Sequence, residues 1–242
     1  KQRVKIKGRT STWSDGISGV PQGSVLGPIL FVIYINDIVD NLKCNAYLYA
    51  DDMKIYTKVT CESDRQMLQD DINTVVDWTN TWLLKLNINK CKILTVGTGD
   101  SQMHQYQITR DGNTSALSNV KVEKDLGILV DNNLSFDMHI QDVAKKANRI
   151  LGVIKRNFKF LDCTTFIMLY KSMVRSHLEY AQTVWSPYRQ FNIELKVQRR
   201  ATKIIPGFYK LPYEQRLARL NLPTLAYRRA RGDMIETFKL LK

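Results

Sequence analysis

The sequence predicts an α+β protein, with strand and helix mixed in its first half and helix alone in its second. Two observations carry this. Up to about residue 130, stretches rich in Val, Ile, Thr and Tyr alternate with helical repeats. Beyond Val130, apolar residues recur only at intervals of three and four. The composition suits a folded chain. Of 242 residues, 44% are hydrophobic and 24% charged, which excludes a disordered polyelectrolyte and supplies enough apolar surface for a core.

Val4 and Ile6 alternate with Arg3, Lys5 and Lys7 before Gly8, the pattern of a short edge strand and turn. Gly16, Gly19, Gly23 and Gly27 surround Pro21 in a loop that leads into a helix. Residues 29–35 are continuously apolar and stop at Asn36 and Asp37, so this helix is expected to be buried. Residues 46–59 read as a hairpin with its turn at Asp51-Asp52. Ser63 and Gln66 have capping-box spacing. Leu68, Ile72, Val75, Thr79, Trp82, Leu83 and Leu86 then predict a helix ending near residues 87–89. Strands follow at 93–96, 106–108 and 126–130, and the segment 97–119 is polar and rich in turn residues. Asp137 suits the cap of a helix striped by Ile140, Val143, Ala147, Ile150 or Leu151, and Ile154. Phe166, Leu169, Met173 and His177 mark a second helix, and Ile193, Val197, Ala201 and Ile204 a third. Pro223 suits the first turn of a last helix carrying Met234, Ile235, Phe238 and Leu241. The change of texture puts a boundary at 131–137.

The formal charge is +13, and it is uneven. Residues 1–120 hold 13 Lys+Arg against 12 Asp+Glu, whereas residues 121–242 hold 23 against 11. Such asymmetry suits a polyanionic partner for the second half, or a solvated basic surface. Four cysteines (44, 61, 91, 163) without a CxxC, and three histidines far from them, exclude a zinc module at the usual spacings. So few cysteines in so long a chain also argue against a disulfide scaffold and for a reducing compartment. The longest apolar run, residues 25–35, is too short to cross a bilayer, so no membrane is expected.

Two motifs carry chemistry. Tyr49-Ala50-Asp51-Asp52 puts adjacent carboxylates at a tight turn, where they repel one another and favour a hard cation such as Mg²⁺. Asp-Asp is also ordinary turn chemistry. Upstream, residues 18–28 combine Gly19, Pro21, Gln22, Gly23, Ser24, Gly27 and Pro28, whose glycines let backbone approach a phosphate or nucleotide closely.

Together, Gly19-Val20-Pro21-Gln22-Gly23-Ser24-Val25-Leu26-Gly27-Pro28 and Tyr49-Ala50-Asp51-Asp52 resemble the reverse transcriptases of non-LTR (LINE-type, jockey-like) retrotransposons. Leu86-Asn87-x-x-Lys90 resembles the family's next block, and Asp125-Leu126-Gly127-Ile128 its primer-contacting strand. Segments about Tyr170, Tyr180 and Gln198 resemble its C-terminal helices. The resemblance implies a right-hand polymerase, with a partial palm over 1–132 and an all-helical basic thumb over 133–242. Asp51 and Asp52 become the catalytic, metal-binding pair and Lys90 the lysine near the leaving pyrophosphate. Pro21, Gln22, Gly23, Ser24 and Tyr49 shape the nucleotide and template site. Leu126 and Gly127 hold the primer. Lys145, Lys146, Arg149, Lys196, Arg199, Arg200 and Lys203 line helix faces suited to phosphates. Magnesium, dNTPs, an RNA template and a DNA primer are the implied cofactor and partners, and a nuclear or cytoplasmic location follows by analogy. The family's pattern also includes a Phe-x-Asp strand well before Pro-Gln-Gly. Only 20 residues precede Pro21 here, and Asp15 is the sole acid among them. The chain by itself is therefore expected not to polymerise DNA. The competing reading is a non-catalytic, nucleic-acid-binding remnant.

Overall fold

The structure, a computed structural model, describes residues 1–16, 19–20, 23–97, 104–110, 112–186 and 193–242, with backbone alone for 193–195. It contains both helix and sheet and divides into two units, residues 1–91 with 102–118 and residues 92–101 with 119–242. The described strands form two-stranded ladders, all but one of them hairpins.

In the first unit, β1 (Lys5–Ile6) and β2 (Arg9–Thr10) pair antiparallel, with Lys7 and Gly8 in the turn at positive φ. The apolar segment becomes α1 (Gly27–Ile35), with Pro28 in its first turn. It is not the buried helix its composition predicts. Only Ile35 is buried, and Ile29, Leu30, Val32 and Ile33 are 48–69% exposed. Burial requires a partner surface, and within this unit α1 is held mainly at its C-terminal end. There Tyr34 stacks edge-on against Trp78 and Trp82 and hydrogen-bonds the Trp82 carbonyl, while Trp78 Nε1 donates to Asp37 (3.1 Å).

β3 (Asn45–Tyr49) and β4 (Asp52–Tyr56) form the expected hairpin. The helix α2 (Glu62–Thr81) follows, buried along Ile72, Val75, Val76 and Thr79. Its capping box is Cys61 with Asp64 rather than Ser63 with Gln66. The Asp64 carboxylate, a stronger acceptor than an amide, takes bonds from the Thr60 N–H (2.7 Å), the Thr60 hydroxyl (2.7 Å) and the Cys61 N–H (3.0 Å). These bonds hold its pKa far below the ordinary carboxylate range. Gln66 instead bonds Asp70 along the helix. The helix ends at Thr81, six residues before the expected stop, in a Schellman turn: Leu84 N–H reaches Thr79 O, and Leu83 takes the left-handed position at φ +56°. Leucine where glycine is usual hides this stop from the sequence. β6 (Gln107–Arg110) pairs with β7 (Asn113–Ala116), and Gln69 clips β6 to α2 by accepting from the Gln107 N–H (3.0 Å) and donating to its carbonyl (2.8 Å).

In the second unit, β5 (Lys92–Leu94) pairs with β8 (Ser118–Val120), and β9 (Val122–Asp125) with β10 (Ile128–Asp131). Leu126 and Gly127 are the two-residue turn of the latter hairpin, not part of a continuous strand. The helix α3 (Asp137–Asn157) buries Ile140, Val143, Ala147, Leu151 and Ile154, as its stripe predicts. Asp137 is its first residue rather than its cap. The anchor is Asp131, whose buried carboxylate accepts from the backbone of Asn133 (3.1 Å), Ser135 (3.0 Å) and Phe136 (2.6 Å).

The next helix runs as α4 (Cys163–Leu169), capped by Asp162, a π-helical stretch Tyr170–Arg175, and α5 (Ser176–Glu179). Its buried residues are Phe166, Tyr170, Val174 and Leu178, not the expected Leu169, Met173 and His177. The π turns explain the difference. A π-helix advances about 80° per residue against 100° for α, so residues four apart stay on one face across this stretch. After α6 (Gln182–Trp185), α7 (Ile193–Ala201), α8 (Tyr213–Arg219) and α9 (Leu225–Leu240) complete the unit. Fully buried Gln198 ties the last three together. Its Nε2 donates to Pro223 O (3.0 Å), and its Oε1 accepts from Tyr213 (2.7 Å) and the Leu225 N–H (3.2 Å). Thr224 caps α9, so Pro223 lies before the cap. The expected stripe Met234, Ile235, Phe238 and Leu241 is exposed.

Candidate active site

Hairpin β3–β4 alternates half-buried Ala46, Leu48, Met53 and Ile55 with exposed Tyr47, Tyr49, Asp52, Lys54 and Tyr56. Tyr47 and Tyr56 stack on the exposed face, 5.6 Å apart at 11°. The turn is Ala50 and Asp51, one residue earlier than the sequence placed it, and Asp52 opens β4 opposite Tyr49. Ala50 takes φ +52°. A left-handed alanine costs about 1–2 kcal/mol, and such strain collects at functional turns. Both carboxylates are exposed, and neither makes a hydrogen bond or ion pair among the described residues.

The hairpin's base is fixed by a residue the sequence reading passed over. Asp71, buried on α2, accepts from the backbone N–H groups of Lys43 (3.1 Å) and Cys44 (2.7 Å). Its sequence signal was an acid directly beside the apolar stripe. Burial, reinforced by Asp71, pushes the Cys44 thiol up to about 11.

Among the upstream residues, Pro21 and Gln22 lie outside the described residues. Gly23 has φ +85°, which glycine alone adopts freely, and half-buried Ser24 follows on the way into α1. Lys90 closes a short 3₁₀ turn (Ile88–Lys90) with its side chain exposed. Asp15 is exposed beside the isolated bridge between Gln2 and Ser14. Among the described residues no three His, Cys, Asp or Glu side chains gather to hold a metal. Hard carboxylate oxygens at Asp51 and Asp52, without partners among the described residues, still fit a hard divalent cation that takes its remaining ligands from water and phosphate.

In the second unit, Leu126 (φ +44°) and Gly127 (φ +90°) form a type I′ turn. Of the basic residues, Lys145, Arg149, Lys196 and Lys203 are exposed and have no intrachain partner among the described residues. The others are engaged. Lys146 pairs with Asp142 (2.6 Å), Arg200 bonds Asn148 (2.7 Å), and the Arg199 guanidinium lies 5.0 Å from the Tyr213 ring centre. The Arg200 bond links α7 to α3 one residue from Arg149, so the two basic sets belong to packed neighbours.

Residues 2–164 match the family model described as reverse transcriptase (RNA-dependent DNA polymerase). The RNA-directed DNA polymerase from mobile element jockey of Drosophila funebris is 32% identical over 184 residues, 69% of this chain and 19% of the relative. The probable RNA-directed DNA polymerase from transposon X-element of Drosophila melanogaster is 24% identical over 222 residues, 84% of this chain and 23% of the relative. The chain belongs to the reverse transcriptase family, and its relatives are polymerases of non-LTR, jockey-like mobile elements. It spans about a fifth of the length of those relatives. No solved structure matches it significantly.

Proposed function

We propose that this chain is the partial palm (1–132) and helical thumb (133–242) of a right-hand RNA-directed DNA polymerase, which extends a DNA primer on an RNA template from dNTPs. The observation that carries this is the strained hairpin turn that holds Asp51 and Asp52 in solvent with no partner among the described residues. Reverse transcriptases depend on divalent metal, and Asp51 and Asp52 are the residues that would hold it here, as magnesium. A bound divalent cation offsets triphosphate charge and favours ionisation of the attacking 3′-hydroxyl. Tyr49, opposite Asp52, offers an exposed ring beside the carboxylates, and Lys90 an exposed ammonium for the leaving pyrophosphate. Gly23 and Ser24, with Pro21 and Gln22, shape the approach to the nucleotide. The test is templated dNTP incorporation on a primed RNA by the complete polypeptide that carries this chain. Duplex binding with no incorporation would overturn the proposal in favour of a binding remnant.

The thumb assignment has its own test. Lys145, Arg149, Lys196 and Lys203 changed together to Ala should weaken binding to all duplexes alike. The slope of log K against log salt should flatten by roughly three units, at about 0.7–0.9 per lost phosphate contact. Anisotropy titrations over a salt series read this, and an unchanged slope leaves these charges as solvated surface.

A further inference from the structure

We propose that Tyr180 is a positioning residue for the primer end: its phenol fixes the turn at Leu126 and Gly127. The inference rests on the reading of that turn as primer-contacting. A two-residue turn with both φ values positive suits Asn-Gly, and Leu at its first position has no local means of favouring the left-handed region. Something outside the turn must hold it. The Tyr180 hydroxyl donates to the Leu126 carbonyl at 2.9 Å, across 54 residues of sequence. A Cβ on Gly127 would stand 3.5 Å from Tyr180 Cε1, in van der Waals contact, so the ring also lies against the second turn residue.

Tyr180 is itself held from behind. Its carbonyl accepts from Trp185 Nε1 (2.8 Å), and Trp185 is fully buried against Ile128 and Ile140. Ala181, at φ +48°, turns the chain between them. Contacts therefore run from a buried indole through the backbone of Tyr180 to the turn. Tyr180 is 57% exposed, so burial does not require its hydroxyl to find this carbonyl, and the bond's effect falls on the turn's geometry rather than on core packing.

The experiment uses the complete polypeptide and a primer with a photoreactive 3′-terminal base. In the unsubstituted protein the primer should crosslink within residues 122–131. Tyr180→Phe removes only the hydroxyl. It should lower crosslink yield and single-turnover incorporation about fivefold, with duplex Kd unchanged and the thermal midpoint within about 4 °C of the parent, as expected for loss of one neutral hydrogen bond. A crosslink outside 122–131 in the unsubstituted protein overturns the primer reading and this inference with it. A crosslink in place, with Tyr180→Phe matching the parent in both yield and rate, overturns the inference alone. A lowered midpoint with an unchanged rate assigns Tyr180 a purely structural role and also overturns it.

Discussion

Asp51→Asn is expected to cut templated incorporation by roughly a thousandfold while the protein stays folded. The size follows from the charge. Removing one carboxylate from a metal site costs about 4 kcal/mol of transition-state stabilisation, and each 1.36 kcal/mol is tenfold in rate. The intact fold follows from exposure: Asp51 has no hydrogen bond to lose among the described residues, and exposed substitutions of that kind shift stability by about 0.5 kcal/mol or less. Single-turnover primer extension by the complete polypeptide, with a thermal melt of the same preparation, checks both parts. Near-parental rates in a folded variant would show that Asp51 is not a metal ligand.

The largest stability effect is expected at Asp131. Asp131→Ala strands the N–H groups of Asn133, Ser135 and Phe136 that arm the start of α3. Water can reach Asn133 and Ser135, which are exposed, so the expected cost is about 2–3 kcal/mol rather than the full sum of charge-assisted bonds. Burial pushes the Asp131 carboxyl up, but the N–H groups of Ser135, Phe136 and Asn133 outweigh it and hold its pKa below the ordinary range. Its contribution is thus complete above the unfolded value near ~3.9 and is lost as pH falls through the lower folded value.

His139 adds a second acid limb. It is buried, and its Nδ1 accepts from the Leu129 N–H (3.3 Å), which fixes a neutral imidazole. Burial holds its pKa down, opposed by Asp142 and assisted by Lys146. The unfolded chain therefore takes up the proton first, and stability begins to fall below about pH 6.5. Urea melts at pH 7, 5 and 3 should show the gap between parent and Asp131→Ala shrinking only at the lowest pH. A gap independent of pH would mean that the carboxylate's charge contributes nothing.

Several features were legible because the information was local. The Tyr49-to-Asp52 hairpin, the α3 stripe and the basic residues of α7 each follow from residues within a few positions of one another. What was missed depended on partners distant in sequence or on special geometry. The α2 stop is signalled by a leucine in a glycine's conformation. The buried face of residues 163–179 cannot be phased without knowing that Tyr170–Arg175 is π-helical. The braces Asp71 and Tyr180 act on backbone groups 27 and 54 residues away, a distance over which periodicity carries no signal. The exposure of α1 marks the opposite failure, since an apolar sequence states what a helix needs and not whether this chain supplies it.

The clip between Gln69 and Gln107 has a consequence for the order of events on the ribosome. The first unit takes residues 1–91, lets the chain depart into the second unit for 92–101, and takes it back at 102–118. At about 5–20 residues per second, synthesis from the end of α2 to Gln107 lasts roughly one to five seconds. For a matching interval after α2 leaves the exit tunnel, Gln69 is unclipped and β6, which will cover it, is still inside the ribosome. A chain paused with α2 outside the tunnel and β6 still within it therefore carries a helix face without the strand that covers it.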